Sequence, residues 1–210
     1  MNIESALNDG ANVFELAPIS LWLEDYSGLR AQFEQWRKLG VTDLRAFLHE
    51  DTTRLRICTS LIRVLKVNRK TLSLYEARDV NHLIENLERV FRDDMLDPHI
   101  EEMVQLWNGD NAFISDTVNY SLGGKRLDIQ LKGVVLPGHE ESWDRVLLSI
   151  EDVTAREEAR REQNKHKQHA EGLFEHSPVS LWVEDFSRIN QMTDDIRERG
   201  IVDFRVFTDV

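Results

Sequence analysis

The sequence predicts an α+β fold: two strands parted by a helical insertion, further helices, a run of three strands and a C-terminal linker helix. Three observations carry this. Two strand-like segments, residues 20–25 and 62–67, are separated by about 35 residues of helical periodicity. Residues 113–150 then hold a run of three strand-like segments, and from Ala155 the chain reads as a helix nearly devoid of apolar positions. Strands gathered after a helical stretch are the order of an α+β domain, not of alternating βαβ units.

The elements follow in chain order. A helix is expected over residues 1–16, ended by Pro18, which cannot continue it. Ser20–Asp25 (SLWLED) has the bulk of a strand, and Ser27-Gly28 closes it. Leu29, Phe33, Trp36 and Leu39 recur at helical spacing, with Gly40 where helices commonly end on glycine. Leu44, Phe47 and Leu48 make a second helical face; Leu55, Cys58, Leu61 and Ile62 make a third, entered through Asp51-Thr52 as a cap. Ile62–Val67 alternates with period two and reads as a strand, after which Asn68 opens a helical stretch carrying Leu72, Leu74 and Tyr75. Val80 to Asn108 is helical again, with Leu83, Leu87, Val90 and Phe91, a break at Asp97-Pro98, then Ile100, Met103, Val104 and Trp107. Strands are expected at Phe113–Ser121, Lys125–Leu136 and Arg145–Ile150, joined by Gly123-Gly124 and by the loop 137–144. Leu127, Ile129 and Leu131 face one way and Arg126, Asp128, Gln130 and Lys132 the other, so one face of the sheet is covered and one is wet.

The chain also repeats itself. The segment starting at Phe14 and the segment starting at Phe174 align without a gap at an offset of 160, and 14 of 34 positions are identical, among them Pro18/Pro178, Trp22/Trp182, Asp25/Asp185 and Gly40/Gly200. Several differences exchange one apolar residue for another, as Ile19/Val179 and Tyr26/Phe186 do. A second copy that stops at Val210 is read as the opening of another domain.

Composition narrows the function. Of 210 residues 41% are hydrophobic, an ordinary globular balance, and no apolar run approaches the roughly 20 residues that span a bilayer. The N-terminus lacks the basic and then apolar order of a secretory signal, so a cytoplasmic location is expected. A single cysteine, Cys58, excludes internal disulfides and multi-cysteine zinc sites. A net charge of −12 opposes the phosphate contacts that nucleic acids reward, and no nucleic-acid partner is expected.

At this point a resemblance enters. Val67-Asn68-Arg69-Lys70-Thr71-Leu72 is similar to the strand-to-helix segment of PAS sensor domains, with its Asn, and Glu151-Asp152-Val153-Thr154-Ala155-Arg156-Glu157 looks like the Asp-(Ile/Val)-Thr end of their last strand. Pro18 to Ser27 (PISLWLEDYS) resembles the first strand of a PAS subgroup found in bacterial histidine kinases and diguanylate cyclases. The resemblance covers about residues 12–160, and 172–210 in part. It implies a PAS-like five-stranded antiparallel sheet, an N-terminal helix at 1–16, a PAS domain at 17–153, a linker (signalling) helix at 154–173 and the truncated start of a second PAS domain at 174–210. The helical insertion departs from most of the family, where a short turn joins the first two strands. The function implied is that of a sensory module in two-component or cyclic-di-GMP signalling, homodimeric through its terminal helices. It would pass a ligand- or partner-induced change to an output domain in cis, with enzymatic activity confined to that domain. The alternative is a dimerisation or interaction scaffold that binds no ligand.

Asp152, Thr154 and Glu157 are the expected transmission residues. Thr154 with Glu157 three positions on forms a capping box, with the Thr154 hydroxyl accepting from a free amide of the first turn. Strand and helix would then meet with almost no slack. The helix after them has only Ala155, Ala159, Ala170 and Leu173 as apolar positions, so a thin seam or charge pairs such as Glu157/Arg161 must hold it. In the PAS arrangement a small-molecule pocket would lie between the covered sheet face and the helices after Asn68, lined by Leu72, Tyr75, Leu83, Phe91, Phe113, Leu127 and Ile129; the same residues serve equally as a packed core, which is the favoured reading.

Other constellations lack the chemistry they suggest. His139-Glu140 has Trp143 where a zinc-protease motif needs its second histidine, and it falls in a hairpin loop. His166 and His169 lie on a polar, solvated helix. Glu24 and Asp25 are neighbours on a strand, point to opposite faces and cannot converge on one atom. Cys58 sits on an apolar stripe as an inert thiol. No catalytic or metal-ligating residues are assigned, and the sequence names no cofactor.

Overall fold

A computed structural model describes residues 12–92, 95–175 and 185–198, and the chain divides into two units, residues 1–160 and 161–210. In the first, β1 (Ser20–Asp25), β2 (Arg63–Val67), β3 (Ala112–Tyr120), β4 (Arg126–Val135) and β5 (Val146–Asp152) form one antiparallel sheet in the order β2-β1-β5-β4-β3. Residues 12–16 are helical (α1). The helical insertion between β1 and β2 is α2 (Ser27–Lys38), α3 (Leu44–Glu50) and α4 (Thr53–Ser60). Between β2 and β3 run α5 (Arg69–Leu74), α6 (Val80–Ile84), α7 (Leu87–Val90) and α8 (Leu96–Trp107), and α9 (Thr154–Glu175) leaves directly from β5.

Two local expectations are corrected. Leu39 is 81% exposed, because α2 closes at Lys38 and Gly40 turns the chain away with φ of +87°. Asp97-Pro98 does not break the helix; it sits in the first turn of α8, where proline's missing amide is no loss, and the interruption falls earlier, between Val90 and Leu96.

The sheet is joined to its cover by a few polar hubs within an apolar core. Asn68 is fully buried and caps α5 by accepting from the Thr71 amide at 3.0 Å. Its amide group also closes the end of β1: Oδ1 accepts from Leu21 N at 3.1 Å, and Nδ2 donates to the carbonyls of Ile19 at 2.9 Å and Phe14 at 3.1 Å. One side chain therefore fixes the strand-to-helix turn, β1 and the end of α1. On the far side of the sheet Gly133 faces Phe113 in register, and a Cβ there would lie 2.2 Å from the ring's Cζ, so the glycine is what lets Phe113 lie flat over β4. Phe33 meets Trp107 edge-on at 5.3 Å and Trp143 at 6.1 Å, tying the insertion to α8 and to the loop before β5.

In the second unit, α10 (Ser187–Glu198) occupies the positions of α2 at the repeat offset of 160. The same turn opens both: Ser27 N donates to Asp25 Oδ1 and Ser187 N to Asp185 Oδ1, each at 2.8 Å. The remainder of the repeat's second copy lies outside the described residues.

Candidate functional site

Because side chains alternate along a strand, Ser20, Trp22 and Glu24 of β1 share the covered face. Asp25 takes the opposite one, where its carboxylate accepts from Ser27 N and pairs with Arg63. An acid thus enters an otherwise apolar wall. Between that wall and the helices lies a cavity of about 830 Å³. The sheet contributes Trp22, Glu24, Val64, Leu131, Leu148 and Ile150 to it. The helical side contributes Leu55 and Thr59 from α4, Leu87 and Phe91 around α7, and His99 and Glu102 from α8, with exposed Arg56, Glu88 and Arg92 at its rim.

The polar groups inside are few and connected. Burial raises the Glu24 carboxyl from 4.5 to about 7, outweighing the Tyr26 hydroxyl that hydrogen-bonds it and the nearby His99, both of which lower it; the Glu102 carboxylate adds to the rise. On α8, His99 Nδ1 and Glu102 Oε2 are 2.8 Å apart, the i, i+3 spacing of one helix face. The Thr59 hydroxyl donates to the Leu55 carbonyl at 3.0 Å, which leaves its oxygen to accept from His99 Nε2 at 3.0 Å. Glu102 Oε1 is buried and has no hydrogen-bond partner among the described residues.

Of the residues expected at a pocket, Phe91 lines the cavity. Tyr75, Leu83, Phe113, Leu127 and Ile129 stand instead in the packed core, and Leu72 packs against it. Tyr75 is held there by Asn119, whose Nδ2 donates to its hydroxyl at 2.6 Å, and edge-on by Trp22 at 5.6 Å. The cavity lies toward α4 and α8 rather than over β3. Glu24, His99 and Glu102 were missed by sequence reasoning, although one signal was present: Glu24 stands two residues after Trp22 on the face that an alternating strand must bury.

Of the residues expected to transmit a signal, Asp152 and Thr154 are hydrogen-bonded to each other, and Glu157 lies one turn further along α9. Asp152 Oδ1 accepts from Thr154 N at 3.0 Å and from the Thr154 hydroxyl. The Thr154 oxygen accepts from Asp128 N of β4 at 3.0 Å, and Val153 N donates to Asp128 O at 2.9 Å. The first turn of α9 is therefore stitched to β4 across the sheet. Glu157 pairs with Arg160 at 2.7 Å and lies 3.7 Å from Arg156. β5 itself places Leu148 and Ile150 in the cavity wall, and Asp152 two residues later in this clamp.

The other constellations are accounted for locally. In the loop before β5, His139 Nδ1 is 2.8 Å from Asp144, whose carboxyl is held low first by Ser142 and then by His139. Burial pushes the Cys58 thiol up to about 12. Among the described residues no group of three or more His, Cys, Asp or Glu side chains is placed to hold a metal ion, and no helix is long and apolar enough to cross a membrane.

The architecture is PAS-like. It has the five-stranded antiparallel sheet, the helical cover and the C-terminal helix, to which the insertion between the first two strands is added. No protein-family model matches the chain, and no curated protein matches it. Solved structures that it resembles include the PAS domain of a protein from Colwellia psychrerythraea, 11% identical with a TM-score of 0.47 over 71% of this chain and 98% of that one. A LOV protein from Rhodobacter sphaeroides is 15% identical with a TM-score of 0.46 over 73% and 69%. The PAS domain, in complex with ethanol, of a transcriptional regulator in the LuxR family from Burkholderia thailandensis is 12% identical with a TM-score of 0.43 over 69% and 96%.

Proposed function

We propose that the chain is a sensory and regulatory PAS module of a cytoplasmic bacterial signalling protein. A small molecule enters the cavity between the sheet and helices α4, α7 and α8. The change it causes passes along β5 to the linker helix and on to an output domain in cis, a histidine kinase or diguanylate cyclase. The module works as a homodimer through its terminal helices, with residues 17–153 as the sensing domain, 154–173 as the linker and 174–210 as the start of a second PAS copy. Asp152, Thr154 and Glu157 carry the transmission.

One observation supports this reading most: the strand that lines the cavity with Leu148 and Ile150 is the strand whose end is clamped to α9. A ligand that displaces those side chains acts on the helix within four residues. Native mass spectrometry of the purified protein tests it. A retained small molecule, or one taken up from a metabolite panel, is expected. A dimer that carries nothing and takes up nothing overturns the sensory reading in favour of a scaffold.

A further inference from the structure

Within that reading, we propose that the ligand is an organic cation: an amine whose apolar body lies among the aliphatic and aromatic walls and whose N–H groups donate to Glu102 Oε1. The proposal rests on the sensory use of the cavity and specifies its occupant.

The first argument is the orphaned acceptor. Glu102 is 4% exposed, and while Oε2 is engaged by His99, Oε1 has no partner among the described residues. A buried acceptor left without a donor costs on the order of 1–3 kcal/mol, more when charged, so an occupant that donates there removes a standing penalty. A carboxylate or phosphate brings only acceptors to that oxygen and would be repelled.

The second argument is charge. Two carboxyl groups, Glu24 and Glu102, reach the interior near enough to influence one another, and the buried cavity supplies His99 as the single basic side chain between them among the described residues. Arg56 and Arg92 stand at the exposed rim with Glu88, where water screens them. Tyr26 and Tyr75, the other titratable groups that Glu24 influences, bring no positive charge. A buried acid without a base either keeps its proton, as Glu24 does below about pH 7, or ionises at a cost that a cation offsets. The third argument is the wall. Trp22, Tyr26 and Phe91 line the cavity together with Leu131, Leu148 and Ile150. Aromatic rings attract an ammonium group, and the aliphatic surface accepts its hydrocarbon body.

The test uses the full chain and three matched probes, 2-phenylethylammonium, 2-phenylethanol and 3-phenylpropanoate, titrated by calorimetry. The ammonium is expected to bind about tenfold or more tightly than either other probe, since a charge-assisted hydrogen bond is at stake. Glu102→Gln should erase that preference while binding of the alcohol stays within about twofold, which also reports that the cavity remains folded. Glu140→Gln, an exposed acid in the loop before β5, should change nothing. Equal or tighter binding of the alcohol or the acid overturns the cation and leaves the sensory cavity standing, as does native mass spectrometry that finds a neutral or anionic molecule retained. Absence of ammonium binding at millimolar concentration overturns the cation. A preference unchanged in Glu102→Gln overturns the assigned contact.

Discussion

Replacing Glu24 by Gln tests whether the buried acid is as costly as its surroundings imply. The carboxyl's proton affinity rises from 4.5 to about 7 on folding, and each factor of ten in that affinity is about 1.4 kcal/mol. A carboxyl that holds its proton more tightly in the folded chain stabilises the fold fully below about pH 4.5. It loses that advantage as pH rises toward 7, and above 7 the ionised group carries the whole penalty. The penalty is about 3 kcal/mol, an order-of-magnitude figure. Glutamine keeps the shape and can still accept from the Tyr26 hydroxyl, but it has no proton to lose. The difference in unfolding free energy between wild type and Glu24→Gln should therefore shift in the variant's favour between about pH 4.5 and 7 and stay level at higher pH. Urea unfolding of both proteins at intervals from pH 4.5 to 8.5 measures it, other titrating groups cancelling in the difference. A difference that is flat with pH would refute the burial argument, and with it the placement of Glu24 in the cavity wall.

Other consequences can be checked on the same protein. Asn68→Ala removes an N-cap and leaves Leu21 N and the Ile19 carbonyl without their buried partner, so a loss of about 3–5 kcal/mol in urea unfolding is expected. Gly133→Ala puts a methyl group into the Phe113 ring and should cost about 1–3 kcal/mol, most of it recovered when Phe113→Leu is added. Cys58, fully buried with its thiol pushed up to about 12, should resist a thiol reagent at pH 8 until denaturant is added. Thr154→Val keeps the shape of the side chain but strips the hydroxyl from Asp152 and Asp128, and should raise amide hydrogen exchange in the first turn of α9 with a loss of about 1–2 kcal/mol locally.

The sheet and most helices were legible because their signals are local. Leu29, Phe33 and Trp36 announce a helix face by spacing alone, and the alternation of Leu127, Ile129 and Leu131 announces a half-covered strand. The misplaced break at Asp97-Pro98 shows where local reading fails, because proline marks a helix start as readily as an end and only the neighbouring elements decide which. The cavity was illegible for a deeper reason. Tyr75, Leu83, Phe113, Leu127 and Ile129 have the hydrophobicity of pocket-lining residues and of core residues alike, and which it is depends on how far α4 and α8 stand off the sheet. That separation is a tertiary quantity, set by side chains such as Phe33 and Trp107 that touch across more than seventy positions of sequence. Thr154 shows the same limit at one residue. Its role at a helix start could be read, but its hydrogen bond to Asp128 depends on strand register.

In the proposed reading, the footing of α9 sets what is needed to move it. The described side chains along most of the helix are exposed, and its start is held to the sheet by Thr154 N on Asp152, Asp128 N on Thr154 and Val153 N on Asp128 O. With the Thr154 hydroxyl on Asp152 as a fourth, hydrogen bonds at a net of about 1 kcal/mol each give the clamp about 4 kcal/mol. In the proposed reading an occupant of the cavity brings clamped and released states to parity when it prefers the released one by about a thousandfold, each factor of ten being about 1.4 kcal/mol. A helix bound by a broad apolar face would need far more. In the proposed reading, the scarcity of apolar residues in α9 leaves a narrow joint four residues from the cavity wall, where an occupant that displaces Ile150 acts on it.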